Sequence, residues 1–397
     1  MKTYWEDTTK LVTAPLKRPK DGGILVIGSG LAGVSVAYHL QRTGVFDQVS
    51  IVDCGTKNAS YFRNAGHILL GTGESYKAMT SVHGEDITNK VMIMSKSFIR
   101  EIEKTVKEHN ITDAFNRSLY YRIALDDVEA KELYDSVMMQ SQDEIFWTDC
   151  NPEGLMLKEI KGAYVCPYSA YGNPVKLRNG VLEVAKQSGV EHNSYKVGSV
   201  EEVNGRVKVT YRYDGEPQVS WHDAVVLCTN GYSQQIGGFF QNKKTIEPFK
   251  GQVIVSKQDS RLSMKTGPFS IDHGYIYGTF LPDNRLLIGG WRNNVPGGEI
   301  GCTNLNINKD TEEGLKQFVR DNFTFGDELD VGILMAGIMG SSTGGLPHVG
   351  PTDSDLIYTC AGFSGYGFGW AHGAAKLCAD IMAGNRLISG WELLKPR

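Results

Sequence analysis

The sequence predicts a chain of mixed α/β class, α+β overall, in which a mostly parallel, helix-covered sheet is interleaved with a separate antiparallel sheet. Three observations carry this. Gly23 to Gly28 (GILVIG) is a short, continuous apolar run, the pattern of a strand buried on both faces, and it enters a glycine-rich turn followed by helical periodicity. Runs of the same kind return in the middle, Ala224 to Thr229 (AVVLCT), and near the end, Leu356 to Cys360 (LIYTC). Between these two, Gly274 to Phe280 and Arg285 to Gly290 flank Pro282-Asp283-Asn284, a good hairpin turn.

In chain order, a polar lead up to Lys20 precedes the first strand. Leu31, Val34, Ala37, Tyr38 and Leu40 then keep helical spacing up to Gly44, a C-cap, and Val49 to Asp53 is a second strand, which completes a βαβ unit. From Glu85 to Asn110 the positions Val91, Met94, Phe98, Ile102 and Val106 predict a helix, and Asp126 to Met139 predicts another; together they form an inserted or capping region. Asn173 starts a helix because Pro174 suits the first helical position, and Val175, Leu177, Val181, Val184 and Ala185 follow up to Gly189. Arg206 to Tyr213 alternates as a half-exposed strand does, and Gln252 to Val255 belongs with the hairpin. Asp310 to Phe323 is an amphipathic helix, and the last helix runs from about Gly369 to Met382. The expected division is a lead, 1–20, a nucleotide-binding domain built from 21–90, 160–235 and 335–397, and a substrate domain built from 91–159 and 236–334.

Composition narrows the function. The 397 residues suggest two or three domains at about 150 residues each. Hydrophobic residues at 41% and charged residues at 22% mark an ordinary globular chain. A net charge of −4 with no long basic run argues against a nucleic-acid surface, so a small-molecule partner is expected. No apolar run approaches a membrane span of roughly 18 residues, and the lead lacks a signal-peptide core, which predicts a cytoplasmic protein. Seven cysteines occur singly with no Cys-x-x-Cys pair, so neither a disulfide framework nor a metal site is expected. His273, His348 and His372 have no ligand spacing. The unusual quantity is 46 glycines, about 12% against an average near 7%, and their clusters mark where to look.

Gly28-x-Gly30-x-x-Gly33 follows the first strand and opens the first helix, and Asp53 ends the next strand. The spacing has a physical cause. Gly28 permits the tight turn, Gly30 lets a pyrophosphate approach the backbone, and Gly33 lets helix and strand pack closely. The helix start offers free N–H groups and a positive dipole end, and Asp53 can accept hydrogen bonds from an adenosine ribose. A Rossmann-type dinucleotide site follows, with FAD and NAD(P) left undivided by the fingerprint itself.

Other segments divide them. Asn58 to His67 (NASYFRNAGH), Asn230-Gly231-Tyr232-Ser233, Pro248-Phe249-Lys250-Gly251-Gln252, Gly344 to Gly350 (GGLPHVG) and the turn Gly362 to Gly367 (GFSGYG) are set along nearly the whole chain. With the fingerprint and the opening Tyr4-Trp5, they make the sequence resemble the D-amino acid oxidase-like (DAO) family of FAD-dependent oxidoreductases, with gamma-glutamylputrescine oxidase-like and glycine/sarcosine oxidase-like members most alike. The resemblance implies a Rossmann-type FAD/NAD(P)-binding domain interleaved with an antiparallel-sheet substrate domain. It implies an FAD site formed by Gly28, Ser29, Gly30, Leu31, Ala32, Gly33, Asp53, Cys54, Ser60, Arg63, Asn64, Ala65, Gly66, His67, Val200, Thr229, Asn230, Gly231, Gly337, Gly362, Phe363, Ser364, Gly365, Tyr366 and Gly367. A last helix aimed at the isoalloxazine would stabilise the charge that reduced flavin gathers; a merely close-packed turn is the bland alternative. FAD is expected to be noncovalent, and electrons to pass to oxygen or another acceptor.

Two departures bear on the substrate. The family's carboxylate-holding Arg is missing from Met335 to Ser341 (MAGIMGS), and Gly344 stands where the family has Asp. Arg292, after Gly290-Trp291, is either an anion clamp from another direction or a surface residue at a strand end. His67 is either a substrate- or flavin-orienting group or a structural histidine. Tyr275, Tyr277, Tyr366 and Trp291 are either an aromatic box for an amine or ordinary core. The resemblance implies oxidation of a carbon–nitrogen bond in a small amine or amino acid by hydride transfer to flavin N5, with His67, Arg292, Tyr275, Tyr277 and Tyr366 as the candidate reaction residues. A 2-hydroxy acid oxidoreductase, a tRNA-modifying member and a non-catalytic flavin-binding protein stay open. An NAD-only dehydrogenase is disfavoured, because Ser60 to Gly66 and Gly362 to Gly367 would have nothing to do there.

Overall fold

Four consecutive buried residues, Ile24–Ile27 (ILVI), form the centre of a six-stranded sheet. Its order is His348–Pro351, Ile357–Ala361, Ala224–Leu227, Ile24–Ile27, Val49–Asp53 and Glu191–Ser194, parallel throughout except for the antiparallel edge His348–Pro351. The computed structural model describes residues 3–10, 12–55, 58–140, 144–152, 154–262 and 267–396; Met1, Lys2 and Leu11 of the lead lie outside them. Helix Leu31–Thr43 ends at Gly44 in the left-handed region, as expected, and packs against the last helix, Gly367–Ala383. The long helix Glu85–Glu108 packs on that helix in turn, so close that a Cβ on Gly373 would lie 2.4 Å from the Phe98 Cβ.

Strand Arg206–Tyr213 alternates buried and open residues and sits in a three-stranded antiparallel sheet with Lys196–Val203 and Glu216–His222. The hairpin Ile276–Leu281 and Arg285–Gly290 lies, as expected, in a sheet separate from the parallel one and antiparallel at all pairs but one. It belongs to a nine-stranded mixed sheet in the order Val331–Ser342, Ile246–Ser256, Arg285–Gly290, Ile276–Leu281, Phe269–Ile271, Asn116–Ala124, Gly162–Tyr171, His67–Ile68, with Phe146–Thr148 also on Gly162–Tyr171. One pair, Phe269–Ile271 with Asn116–Ala124, is parallel. The expected nucleotide-binding ranges carry all six strands of the parallel sheet. They also carry His67–Ile68, Gly162–Tyr171 and most of Val331–Ser342, which pair in the large sheet.

The lead is a strap. Thr3 and Glu6 form a capping box on the short helix Tyr4–Thr8, Trp5 Nε1 donates to the Asn64 carbonyl at 2.8 Å, and the Asn173 amide donates to Thr8 and Thr9 at 3.1 Å. Asn173 also caps helix Pro174–Gln187 by accepting from Val175 and Lys176. No helix among the described residues is long and apolar enough to cross a membrane.

Candidate active site

At the carboxyl ends of the parallel strands, three glycines do three different things. Gly28 has φ +106°, and a Cβ there would lie 2.6 Å from the Cys228 carbonyl oxygen. A Cβ on Gly33 would lie 1.7 Å from the Gly28 carbonyl oxygen, whereas one on Gly30 would meet nothing within 4 Å. Gly30 is the N-cap of its helix with no side-chain cap, so the N–H groups of Leu31 and Ala32 face the open side. Asp53 accepts from Ser29 N–H at 3.1 Å and from Gly55 N–H at 2.8 Å, and Cys54 beside it is exposed.

Arg178, which the sequence reading passed over, completes this loop. Only 1% exposed, it donates through Nε to the Ser29 carbonyl at 2.8 Å and through Nη2 to the Ser29 hydroxyl at 2.9 Å. The signal was present: Arg178 lies on the stripe Val175, Leu182, Ala185 of an amphipathic helix, where a cation is out of place.

The Ser60 to His67 segment runs onward from the loop. Arg63, 9% exposed, donates to the Ala336 carbonyl at 3.1 Å, and Gly337 passes so close that its Cβ would be 3.0 Å from the Arg63 Cβ. Asn64 accepts from Gly66 N–H, and Trp5 packs over Gly66, where φ is +76°. Ala65 is buried, and Ser60 opens a single helical turn, Ser60–Phe62. His67 pairs with Tyr171, and its Nε2 is buried without a hydrogen-bond partner. Burial pushes its imidazole down to about 3, against a smaller opposing effect of a hydrogen bond to the Gly278 backbone.

The turn into the last helix is held from the other strand ends. Asn230 Oδ1 accepts from Gly362 N–H at 3.0 Å and from Phe363 N–H at 3.4 Å, next to Thr229, and Gly231 lies against the Met339 carbonyl. Ser364 N–H donates to the Gly340 carbonyl at 2.8 Å, and Gly365, with φ +95°, has open space over its Cα. Helix Gly367–Ala383 starts, with Tyr366 as its N-cap and no side-chain cap, beside the strand His67–Ile68: Gly369 packs on the Ile68 and Leu69 backbone. Tyr366 lines a small cavity of about 40 Å³ with Tyr120, Arg122 and Tyr164, and burial pushes its phenol up. Val200 is apart from all this, buried among Val207, Val209 and Val225. Gly344 sits in an open turn beyond strand Val331–Ser342.

Across the large sheet, Met339 stands opposite Phe249, Gly251 opposite Gly337, and Gly289 opposite both Val253 and Tyr277. The glycines make room. A Cβ on Gly289 would lie 2.9 Å from the Tyr277 ring, and one on Gly251 would lie 2.6 Å from the Met339 methyl and 3.5 Å from the Tyr277 hydroxyl. The Tyr277 ring meets His67 edge-on at 6.2 Å between centroids; burial pushes its phenol up to about 12, with Arg292 acting in the other direction. The Arg292 guanidinium lies over the Phe249 ring at 4.9 Å and the Tyr275 ring at 5.4 Å, with no carboxylate partner among the described residues.

The four aromatic residues do not form one box. Tyr275 lies before the strand, at the end of the turn Asp272–Gly274, and flanks Arg292. Tyr277 faces His67, Tyr366 faces Arg122, and Trp291 packs on Gly314 and Phe318 of helix Lys309–Asn322. Lys250 and Gln252, on the opposite face, tie down the loop that carries Arg292: Lys250 pairs with Glu299 at 3.0 Å, and Gln252 exchanges hydrogen bonds with the Asn308 backbone. His372 bonds Ser35 and Thr105, and among the described residues no cluster of three or more His, Cys, Asp or Glu has the geometry of a metal site.

The profile of the DAO family, described as FAD dependent oxidoreductase, matches residues 23–381. The chain belongs to this family. It is therefore an FAD-dependent oxidoreductase, as the resemblance implied. A D-amino acid dehydrogenase from Neisseria meningitidis serogroup C is 22% identical to this DAO-family chain over 420 aligned positions, covering 91% of it and 96% of the relative. Among solved structures, L-proline dehydrogenase from P. horikoshii superposes with a TM-score of 0.75 at 20% identity, covering 96% of this chain and 100% of that one. Glycine oxidase from Geobacillus kaustophilus gives 0.77 at 15% identity, covering 95% and 98%. These structures share the fold. The residues present suit FAD: an open Gly30, two uncapped helix starts and a buried guanidinium on Ser29.

Proposed function

We propose that this DAO-family enzyme oxidises the carbon–nitrogen bond of a small amine or amino acid whose carboxylate rests on Arg292. The observation that carries the reading is the Arg292 guanidinium, held against the rings of Phe249 and Tyr275, free of a carboxylate partner among the described residues, and on the rim of the sheet face that holds Tyr277 and Met339. Contact with two aromatic rings restricts the guanidinium and so favours bidentate pairing with a carboxylate. The curated relative and the solved neighbours named above act, by their names, on amino acids.

FAD, when bound, supplies the hydride acceptor at flavin N5 and passes electrons to oxygen or another acceptor. Residues 28–33 would take its pyrophosphate on their N–H groups, Asp53 and Cys54 its ribose, 60–67 and Gly337 the chain towards the flavin, and 229–231 with 362–367 the pyrimidine end. The helix starting at Gly367 would place its positive end against the charge of the reduced ring.

His67 stays neutral across the working range. With its other ring nitrogen engaged with Gly278, Nε2 carries the lone pair and would accept an N–H of the substrate nitrogen. It orients the amine and is too weakly basic to hold the substrate's ammonium proton, which leaves to solvent. The Tyr277 hydroxyl, protonated throughout, offers a donor on the same side.

The test is anaerobic mixing of the holoenzyme with amines, α-amino acids, N-substituted amino acids and 2-hydroxy acids, following loss of the oxidised flavin spectrum. Bleaching by amines that carry a carboxylate supports the reading. Bleaching by hydroxy acids alone transfers the site to 2-hydroxy acid oxidation, and an FAD-loaded protein that no member of the panel reduces is a flavin-binding protein without this activity.

A further inference from the structure

Arg178 poses a problem of charge. Its guanidinium is among the largest fully buried groups of the protein, yet every acceptor hydrogen-bonded to it among the described residues is neutral: the Ser29 carbonyl and hydroxyl, the Val12 carbonyl at 3.0 Å and the Asn179 amide oxygen at 3.0 Å. Tyr61 stacks on it at 5.1 Å. Asp53 acts on it through space, but its two oxygens accept the N–H groups of Ser29 and Gly55, and among the described residues Arg178 has no ion-pair partner. Burying an unpaired cation is costly, by several kcal/mol even after relaxation. A guanidinium retained there has an anion to meet.

The place identifies that anion. Arg178 holds the carbonyl and hydroxyl of Ser29, the middle residue of the turn Gly28-Ser29-Gly30, while Asp53 holds its N–H, and so fixes the peptide that precedes the open N–H groups of Leu31 and Ala32. The strap closes over it, with the Val12 carbonyl on Nη1 and the Lys10 carbonyl on the neighbouring Asn179 amide at 2.9 Å, which keeps water from screening the charge. We propose that Arg178 is the buried counter-charge for the dinucleotide pyrophosphate, acting as a positioning residue through Ser29 and making the bare loop electrostatically incomplete until a diphosphate is seated. This rests on the reading of residues 28–33 as the pyrophosphate site. It makes part of FAD affinity come from relief of an unpaired buried charge, beyond the contacts of the loop itself.

The experiment strips noncovalent FAD from wild-type, R178Q and R178K protein and measures ADP and adenosine binding together with thermal melting with and without FAD. Wild type binds ADP far more tightly than adenosine, and that preference falls at least about 30-fold in R178Q, the loss expected on removing one side of a desolvated charge pair. Adenosine affinity moves by less than about threefold, and R178K, which keeps the charge, recovers much of the preference. Melting of the stripped R178Q protein is unchanged or raised, because an unpaired cation has been removed, while the FAD-induced rise in melting temperature shrinks. If R178Q instead melts lower to the same extent with and without FAD and keeps its ADP preference, Arg178 is a structural tie and the proposal fails. If wild type itself shows no preference for ADP, the reading of the Gly28 to Gly33 loop fails, and with it this one.

Discussion

Replacing Gly30 by Ala separates what the fingerprint loop needs for folding from what it needs for its ligand. Gly30 has φ −65° and ψ −179°, extended backbone that any residue adopts, and a methyl there meets nothing within 4 Å. The FAD-stripped variant should therefore differ from wild type by no more than about 1 kcal/mol, since the loss of a good N-cap residue and the stiffer unfolded chain oppose each other. The ligand is another matter. A methyl on the open side holds a pyrophosphate roughly 1 Å or more off the N–H groups of Leu31 and Ala32, and charge-assisted hydrogen bonds are worth about 1.5–3 kcal/mol each. Losing two removes about 3–6 kcal/mol, a fall in FAD affinity on the order of 10²- to 10⁴-fold.

Gly33→Ala is the control with the opposite signature. Its methyl would lie 1.7 Å from the Gly28 carbonyl oxygen, so helix and turn must part by roughly 1.5 Å to reach van der Waals contact. That costs about 1–3 kcal/mol in the stripped protein as well. Urea unfolding of the stripped proteins and quenching of flavin fluorescence on titration with FAD read the two effects apart. If Gly30→Ala binds FAD as wild type does, or loses stability as Gly33→Ala does, the assignment of the open side of the loop to the pyrophosphate is wrong.

Three further outcomes follow from the geometry. Arg292→Gln should raise KM for carboxylated substrates by about 10- to 30-fold, a charged hydrogen-bonded contact discounted for its partial exposure, and leave KM for an amine lacking the carboxylate nearly unchanged; equal shifts for both would remove Arg292 from substrate binding. His372 is 0% exposed, with its imidazole pushed down to about 3 by burial and both nitrogens bonded, to Ser35 and Thr105. Its folded-state pKa is below the unfolded value near 6.5, so the unfolded chain takes up the proton first, and stability present above that value is lost as pH falls, about 2 kcal/mol from this group at pH 5. Urea midpoints at neutral pH and at pH 5 should show this loss, and His372→Asn should reduce the slope. Because His67 is held neutral, the rate of flavin reduction should carry no inflection near 6.5 that His67→Asn abolishes; a wild-type inflection there that vanishes in the variant would assign His67 a protonation step.

The elements legible in the sequence are those whose cause is local. The run Ile24–Ile27, the N-cap Asn173 with Pro174 after it, and the stripe from Val91 to Val106 state their structure within a few residues, and each lies where the pattern placed it. Of the large sheet, the hairpin and the strand at Gln252 to Val255 were legible, and the rest was not, because its pairings join strands that sequence alone leaves unordered: His67–Ile68 pairs with Gly162–Tyr171, and Phe269–Ile271 lies parallel to Asn116–Ala124. Alternation in Arg206–Tyr213 reports one exposed face, whereas Val331–Ser342, glycine-rich and buried in its middle, has no period to report. In the site, the fingerprint was visible because three glycines at fixed spacing do three local jobs. Arg178 was not, since its partner Ser29 is 149 positions away and only its misfit on an apolar stripe points inward.

The missing arginine and the one that is present belong to one geometric argument. Strand Ile246–Ser256 lies between Val331–Ser342 and Arg285–Gly290, so Phe249 has Met339 on one side and the segment leading to Arg292 on the other. Moving the cation from the Met339 side of that ring to the Arg292 side carries it about 10 Å, two strand spacings. If the carboxylate rests on Arg292 as proposed, a substrate that keeps its reacting carbon against the flavin would swing its carboxylate across the sheet and present to Met339 the part that the resemblance places against an arginine. Met339 is unbranched and polarisable and its methyl lies over Gly251, so it can follow the outline of an apolar substituent and offers nothing to a second anion. The same change explains why Lys250 and Gln252 are spent on the far face of the strand: Arg292 leaves the sheet at Trp291, where φ is +67°, and its aim depends on a loop tied down at Glu299 and Asn308. On the proposed reading, specificity lies in that loop as much as in the sheet. Loosening it by Lys250→Met should then weaken carboxylated substrates through KM in the way Arg292→Gln does, without touching the flavin.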